Sequence, residues 1–231
     1  MIVIHGKSSS DKKVSGVITF YRRDVFEPLM EHIDDPLAEY ERFAAARDTA
    51  AQELELLFDI AAKRAGTEAA GIFEIQKMMI EDKDFSSLVS GLIRSQKCSA
   101  EFAVKCASKI FSDLLRFSGS EYMSQRSEDI FFTGDRIIRK LAGVEKRLGH
   151  YDHDVILCAE TLSSSDILLM QSPFITAVAV KRDASMSHCA LLCEGLGIPL
   201  ISDLGEKLDR RLEGLEASAD CSTGMLIIDD K

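Results

Sequence analysis

Residues 181 to 200 read KRDASMSHCALLCEGLGIPL, and the side chain in that stretch best placed for chemistry is His188. Ser187 is a good N-cap, which puts His188 in the first turn of a short helix that Gly195 would end. A helix N-terminus presents free N–H groups and a partial positive charge, which disfavour an imidazolium and stabilise a phosphate carried on the ring. A neutral imidazole beside such a cradle is a nucleophile for phosphoryl transfer. On local sequence alone the other reading stays open: a partly buried histidine that only caps a helix.

Three further constellations have residue types that could do chemistry. GHYDHD brings His150, Asp152, His153 and Asp154 together as a possible metal clip, but no second cluster completes it, and a solvated linker is the better reading. HGKSSS, residues 5 to 10, has some features of a phosphate loop without the full spacing or a following helix. Cys189 adjoins His188, yet adjacent helical residues diverge by ~100°, so the two do not form a nucleophilic pair.

The elements that must position His188 have two textures. From about Pro36 to Gly143 the chain reads as helix throughout. Asp35 is an N-cap, Pro36 a first helical residue and Gly66 a stop, with Leu37, Tyr40, Phe43, Leu54, Leu57, Phe58 and Ala61 at helical spacing. Further helices run through Ile72, Ile75, Met78 and Met79; through Phe85, Leu88, Val89, Leu92 and Ile93; along a face of Phe102, Cys106, Ile110 and Leu114; and through Ile130, Ile137, Ile138 and Leu141. Short connections imply an antiparallel bundle. Outside this block, six apolar, β-branched segments (14–23, 154–160, 174–181, 199–203, 214–221 and 224–230) read as strands, with short helices in SSSDILLM and HCALLCEG. The expected organisation is an α/β domain, 1–34 with 144–231, whose first strand is followed by an inserted all-α bundle, 35–143.

Composition bounds the function. With 231 residues, 46% of them hydrophobic, the chain can bury a sizeable core. A net charge of -10 argues against a nonspecific grip on nucleic acid or an anionic membrane and is compatible with a basic protein partner. No apolar run reaches the ~20 residues of a membrane span. Six cysteines set in apolar patterns, with no CxxC pair and no signal-like segment, predict a reduced, cytoplasmic protein.

GVITF, the helical insertion, VILCAETLSSSDILLM, ITAVAVKRDASMSHCALLCEGLGIPLISD and DCSTGMLIIDD together resemble, in one order and over nearly the whole chain, the N-terminal half of enzyme I of the phosphoenolpyruvate:sugar phosphotransferase system. The resemblance implies an α/β phosphohistidine swivel domain with an inserted helical bundle. It implies His188 as the phosphoryl carrier, with Ser187, Ser185 and Thr161 supporting its loop. It also implies that the bundle docks HPr, the small phosphocarrier, with Glu68, Met78, Asp82, Asp84 and Arg126 as candidate contacts. It implies no cofactor or metal in this chain, since magnesium and phosphoenolpyruvate belong to a C-terminal barrel expected beyond Lys231; this chain alone is not expected to use phosphoenolpyruvate.

The sequence departs from the family pattern at four places. Asp183 and Ala184 stand where two glycines are usual, and an aspartate there is expected to repel an anion. Leu162 stands at a threonine position, flanked by Thr161 and Ser163. Ala69 and Phe131 stand at basic positions of the carrier surface. Two functions of different class therefore remain: a transfer-competent half-enzyme, favoured by the Ser187–His188 helix start, and a degenerate carrier-binding or regulatory module, favoured by Asp183 and Leu162.

Overall fold

The computed structural model describes the chain except residues 9, 22–25, 120, 145–148, 171, 185–186 and 230–231, together with the side chains of residues 121–126. It divides into two compact units, Met1–Arg23 with Ile60–Ala70 and Arg147–Lys231, and Asp24–Asp59 with Gly71–Lys146.

The first unit is built on a seven-stranded mixed sheet of β1 (Ile2–His5), β2 (Lys13–Phe20), β3 (Val155–Ala159), β4 (Ile175–Val180), β5 (Leu200–Ile201), β6 (Glu216–Asp220) and β7 (Met225–Ile228). The order is β1-β7-β6-β2-β3-β4-β5, with β2 through β5 parallel and the β2-β6-β7-β1 side antiparallel. β1 is a strand the sequence reading missed, so the helical insertion follows the second strand, not the first.

The two edges of this sheet meet. Lys7, just past β1, exchanges both backbone hydrogen bonds with Ser202, just past β5, at 2.7 and 2.8 Å, which curls the sheet towards a closed barrel. Gly6 permits the approach, because a Cβ there would lie 2.3 Å from the Ser202 carbonyl oxygen. Ile4, Ile18, Phe20, Ile156, Ile201, Leu226 and Ile228 belong to the core cluster of this unit. β3 is buried at every position, as parallel central strands are, which explains its unbroken apolar run VILCA.

The insertion comprises α1 (Pro36–Ala65), α2 (Thr67–Ile80), α3 (Lys83–Gln96), α4 (Ala100–Arg116) and α5 (Glu121–Ala142). The Asp35 carboxylate accepts from the N–H groups of Leu37 and Ala38 at 2.9 and 3.1 Å, as an N-cap does, and Gly66 turns the chain at φ +92°. α4 and α5 are held together tightly because α4 turns small residues inward: Ala100, Ala103, Val104, Ala107 and Ser108 are buried. Opposite Ser108 sits Gly134, where an added Cβ would fall 2.0 Å from the serine oxygen. This corrects the sequence reading of α4. Phe102 and Cys106 are only partly buried, while Ile110, Leu114 and Phe117, one turn apart from each other, face outwards, Leu114 64% and Phe117 79% exposed. Leu37 of α1, read as an apolar-face residue, is likewise exposed.

Candidate functional site

α6 (Ser164–Leu169) and α7 (His188–Gly195) follow β3 and β4 and pack against each other. Their first turns are built from serine caps, with one difference. Ser163 caps α6 reciprocally: its hydroxyl accepts from the Asp166 N–H at 3.1 Å, and the Asp166 carboxylate accepts from the Ser163 N–H and hydroxyl at 3.0 and 2.6 Å. That carboxylate, almost wholly buried, also accepts from the Tyr21 hydroxyl at 3.1 Å. The positive end of α6 is thus occupied by its own acid.

α7 starts with Ser187, whose backbone is extended (φ -86°, ψ 158°) and whose hydroxyl accepts from the Ala190 N–H at 3.3 Å. The same hydroxyl donates to the Ala184 carbonyl at 2.7 Å, and the Ser187 N–H donates to it at 3.0 Å, folding the preceding loop back onto the cap. His188 is the first residue of the helix, half-buried. No acid stands in the first turn of α7. By contrast α1, α2, α3, α4 and α6 carry Glu39, Glu68, Asp84, Glu101 and Asp166 there. The arrangement places an imidazole at the positive end of a helix dipole, without a carboxylate in the same turn.

Cys189 turns away from this end, its thiol donating to the Leu162 carbonyl at 3.1 Å. Leu162 is buried, Thr161 half-buried, and the Ser163 hydroxyl is committed to the α6 cap. Ser185 lies outside the described residues. The far end of α7 abuts the corner after α1: a Cβ on Gly195 would meet the Ala65 carbonyl oxygen at 2.5 Å.

Residues 5–126 of the chain match the N-terminal region of PEP-utilising enzymes, and residues 151–224 match the mobile domain of the same enzymes. The chain belongs to the PEP-utilising enzymes. Among relatives, it is 29% identical over 199 residues to the phosphoenolpyruvate-protein phosphotransferase of Lactococcus lactis subsp. lactis, covering 85% of this chain and 35% of that protein. The Bacillus subtilis protein of the same name is 28% identical over 200 residues, with 86% and 35% covered, and that of Haloferax volcanii 29% identical over 217 residues, with 93% and 38% covered. The chain therefore spans about a third of the length of the curated relatives it matches. The solution structure of an Enzyme I protein, nEIt, superposes with a TM-score of 0.72 at 25% identity, covering 99% of this chain and 93% of that one. An N-terminal domain of nitrogen Enzyme 1 superposes at 0.62 with 21% identity, covering 99% and 94%. The fold is that of an Enzyme I N-terminal domain, an α/β unit with an inserted helical bundle.

His188 and its Ser187 cap lie within the mobile-domain match. The remaining residues expected to act are distributed as follows. Met78 of α2 is 71% exposed, on the same helix face as the exposed Glu74 and close to the exposed Glu81, while Ile72, Phe73, Gln76 and Ile80 form the buried side. Asp82 is exposed and also caps α3, its carboxylate accepting from the Phe85 N–H at 2.8 Å. Asp84 and Glu68 are exposed first-turn acids of α3 and α2, so each already has a local electrostatic reason to be there. Glu68 belongs to the first compact unit and Met78, Asp82 and Asp84 to the second. Arg126 is in α5, with its side chain outside the described residues. Ala69 is buried and Phe131 exposed.

Two features were invisible in the sequence. The outward apolar stripe of α4 was concealed because its residues are the large ones expected inside. The other is a cation reaching the histidine's loop from just past β1: the Lys7 ammonium lies 2.6 Å from an Asp183 carboxylate oxygen and 3.0 Å from one of Asp203. The GHYDHD segment holds an Asp152–His153 pair at 2.7 Å, and among the described residues no three His, Cys, Asp or Glu side chains are grouped as metal ligands. All six cysteines are free, and no helix of the described residues is long and apolar enough to cross a membrane.

Proposed function

We propose that this chain is the phosphoryl-transfer half of an enzyme I: His188 accepts a phosphoryl group originating from phosphoenolpyruvate and passes it to a histidine of an HPr-like carrier. The observation that carries the reading is the acid-free first turn of α7, with its Ser187 cap and half-buried imidazole, in a mobile domain of this family. When the group leaves phosphoenolpyruvate, a P–O bond breaks and enolpyruvate departs as the P–N bond to His188 forms; in transfer between His188 and the carrier one P–N bond breaks as another forms, the donor ring nitrogen leaving as the neutral acceptor nitrogen attacks in line. Transfer between two imidazoles runs near equilibrium, so catalysis rests on alignment and on N–H groups that stabilise charge on the phosphoryl oxygens.

Met78 among carboxylates is the candidate contact for an apolar spot rimmed by basic residues on the carrier, with Glu68, Asp82, Asp84 and Arg126 as further contacts. The outward stripe of Ile110, Leu114 and Phe117 offers more apolar surface on the same unit. Transfer from His188 requires no cofactor; magnesium belongs with a phosphoenolpyruvate-binding domain in addition to this chain. Six free thiols suit the cytoplasm.

The buried Leu162, which brings no polar atom of its side chain to the loop, favours the second reading, a carrier-binding module without efficient transfer. Incubation with labelled phospho-carrier, followed by intact mass and acid treatment, separates the two. An acid-labile adduct that is present in the wild type and missing from His188→Ala supports transfer; carrier binding without any adduct leaves the docking module.

A further inference from the structure

Asp183 is a carboxylate in the loop that leads to the phosphoryl-accepting histidine. Its neighbour Ala184 receives two hydrogen bonds from the cap residue Ser187, so Asp183 is drawn close to the start of α7 rather than extended away from it. Unneutralised, it would oppose the arrival of a phosphoryl group. The structure supplies the neutralising charge from the other end of the sequence.

Lys7 is fixed at its backbone by the paired hydrogen bonds with Ser202 that join the sheet's edges. From that anchor its ammonium reaches Asp183 at 2.6 Å and Asp203 at 3.0 Å, all three side chains being roughly half-exposed. Asp203 has a left-handed backbone, φ +62°, a conformation uncommon for a residue with a Cβ. That turn directs the N–H groups of Asp203, Leu204 and Gly205 onto the carbonyls of Arg182, Val180 and Lys181, at 3.0 to 3.3 Å. The loop before His188 is therefore tied twice to the segment after β5, through backbone and through the shared lysine. Hydrogen bonding to Asp183, and then to Asp203, holds the Lys7 ammonium above its ordinary value, so the cation persists through physiological pH. Lys12, from the same β1–β2 connection, donates to the Gly197 carbonyl at 2.7 Å, just past the far end of α7.

We propose that Lys7 is a positioning residue for phosphoryl transfer, neutralising Asp183 and fastening the His188 loop to the segment after β5. The proposal rests on the assignment of His188 as the phosphoryl carrier. It also revises the expectation that Asp183 acts as a bare repelling charge: the loop carries the acid together with its own counter-ion.

The test uses the whole chain in five forms: wild type, Lys7→Met, Asp183→Asn, the double variant, and Lys7→Arg as the conservative replacement. Transfer from phospho-carrier is timed at low and high salt. The expected result is a fall of about fivefold in Lys7→Met, which eases as salt screens the exposed carboxylates, and recovery to within about twofold in the double variant and in Lys7→Arg. A lysine that merely closed the sheet would leave the double variant as slow as the single. The imidazole titration of His188, followed by NMR in the unphosphorylated chain, gives a second readout that needs no transfer. It should move upwards by about 0.3 pH in Lys7→Met and return in the double variant. A wild type that takes no phosphate defeats the transfer reading, whereas the His188 titration still decides whether Lys7 governs the charge at that histidine. Lys7→Met with an unmoved titration, or with a rate deficit that Asp183→Asn fails to relieve, overturns the inference.

Discussion

Exchanging Gly195 for alanine should lower stability, while the same exchange at Gly91 should raise it. Both glycines are helical, in α7 and α3. At Gly91 an added Cβ meets nothing within 4 Å, so the gain is the helical preference of alanine, about 1 kcal/mol. At Gly195 the Cβ would lie 2.5 Å from the Ala65 carbonyl oxygen, 2.7 Å from its Cβ and 2.9 Å from its Cα. These are not flexible side-chain ends, and restoring ordinary contact requires α7 and the α1 corner to separate by about 0.9 Å. Overpacking of this kind costs ~1–3 kcal/mol. Because Gly195 is the last residue of its helix, the opposing propensity gain is smaller than at Gly91, and the clash wins. The net loss of ~1–2 kcal/mol corresponds to a melting temperature lower by about 2–8 °C for a chain of this length. His188 is at the opposite end of the same helix, about 10 Å along its axis, so a displaced pivot also disturbs in-line attack, where small misplacements slow transfer strongly. Calorimetry, with hydrogen exchange at β3 and β4 amides to follow the α/β unit separately, reads the first effect; phospho-carrier kinetics read the second. Gly195→Ala melting higher than wild type, as Gly91→Ala should, would refute the packing argument.

Two other outcomes are expected. Met78→Ala should weaken carrier binding about three- to tenfold without changing the melting temperature, because Met78 is exposed; titration calorimetry should also show affinity falling as salt rises, and salt-independent binding would contradict an acidic docking face. Asp220 is held at about 2 by hydrogen bonds from Lys13 and then Ser222, with Lys13 Nζ at 2.7 Å. Since its folded value lies below the ordinary carboxylate, its contribution is complete above about pH 4 and is lost as pH falls through about 2. Melting curves of Asp220→Asn between these values should show a shallower acid decline than the wild type; parallel curves would remove Asp220 from the acid response.

The parts of the fold that were legible are those fixed by local rules. Asp35, Pro36 and Gly66 delimit α1 because caps and stops act through neighbouring N–H groups and a left-handed turn. Ser187 marks α7 for the same reason. What failed depended on partners distant in sequence. β1 is four residues long with a single fully buried position, Ile4, too short for a periodic signal, and it exists through its pairing with β7 at the other terminus. In α4 the large apolar residues made the conspicuous stripe, but the close approach of α5 at Gly134 admits only small ones, so Ala103, Ala107 and Ser108 took the inside and Ile110, Leu114 and Phe117 the outside. The cation paired with Asp183, Lys7, was out of reach of local reading for the same reason, being 176 residues away.

Helix starts give the site its direction. An acid in the first turn is the ordinary way to satisfy a helix dipole, and α1 to α4 and α6 all use it; in α6 the acid is buried and bonded by both Ser163 and Tyr21, which leaves little room for an outside anion. α7 has the same serine cap but puts histidine, with no acid, in the first turn. On the proposed function, a phosphoryl group on that ring would place negative charge at the positive end of α7. The pairing of Lys7 with Asp183 and Asp203 works in the same sense, because it keeps nearby carboxylates from filling that role first. On the proposed function, stabilisation of a phosphorylated His188 would draw on features of the first compact unit and carrier recognition at Met78 on the second, so mutations in each should separate the two effects.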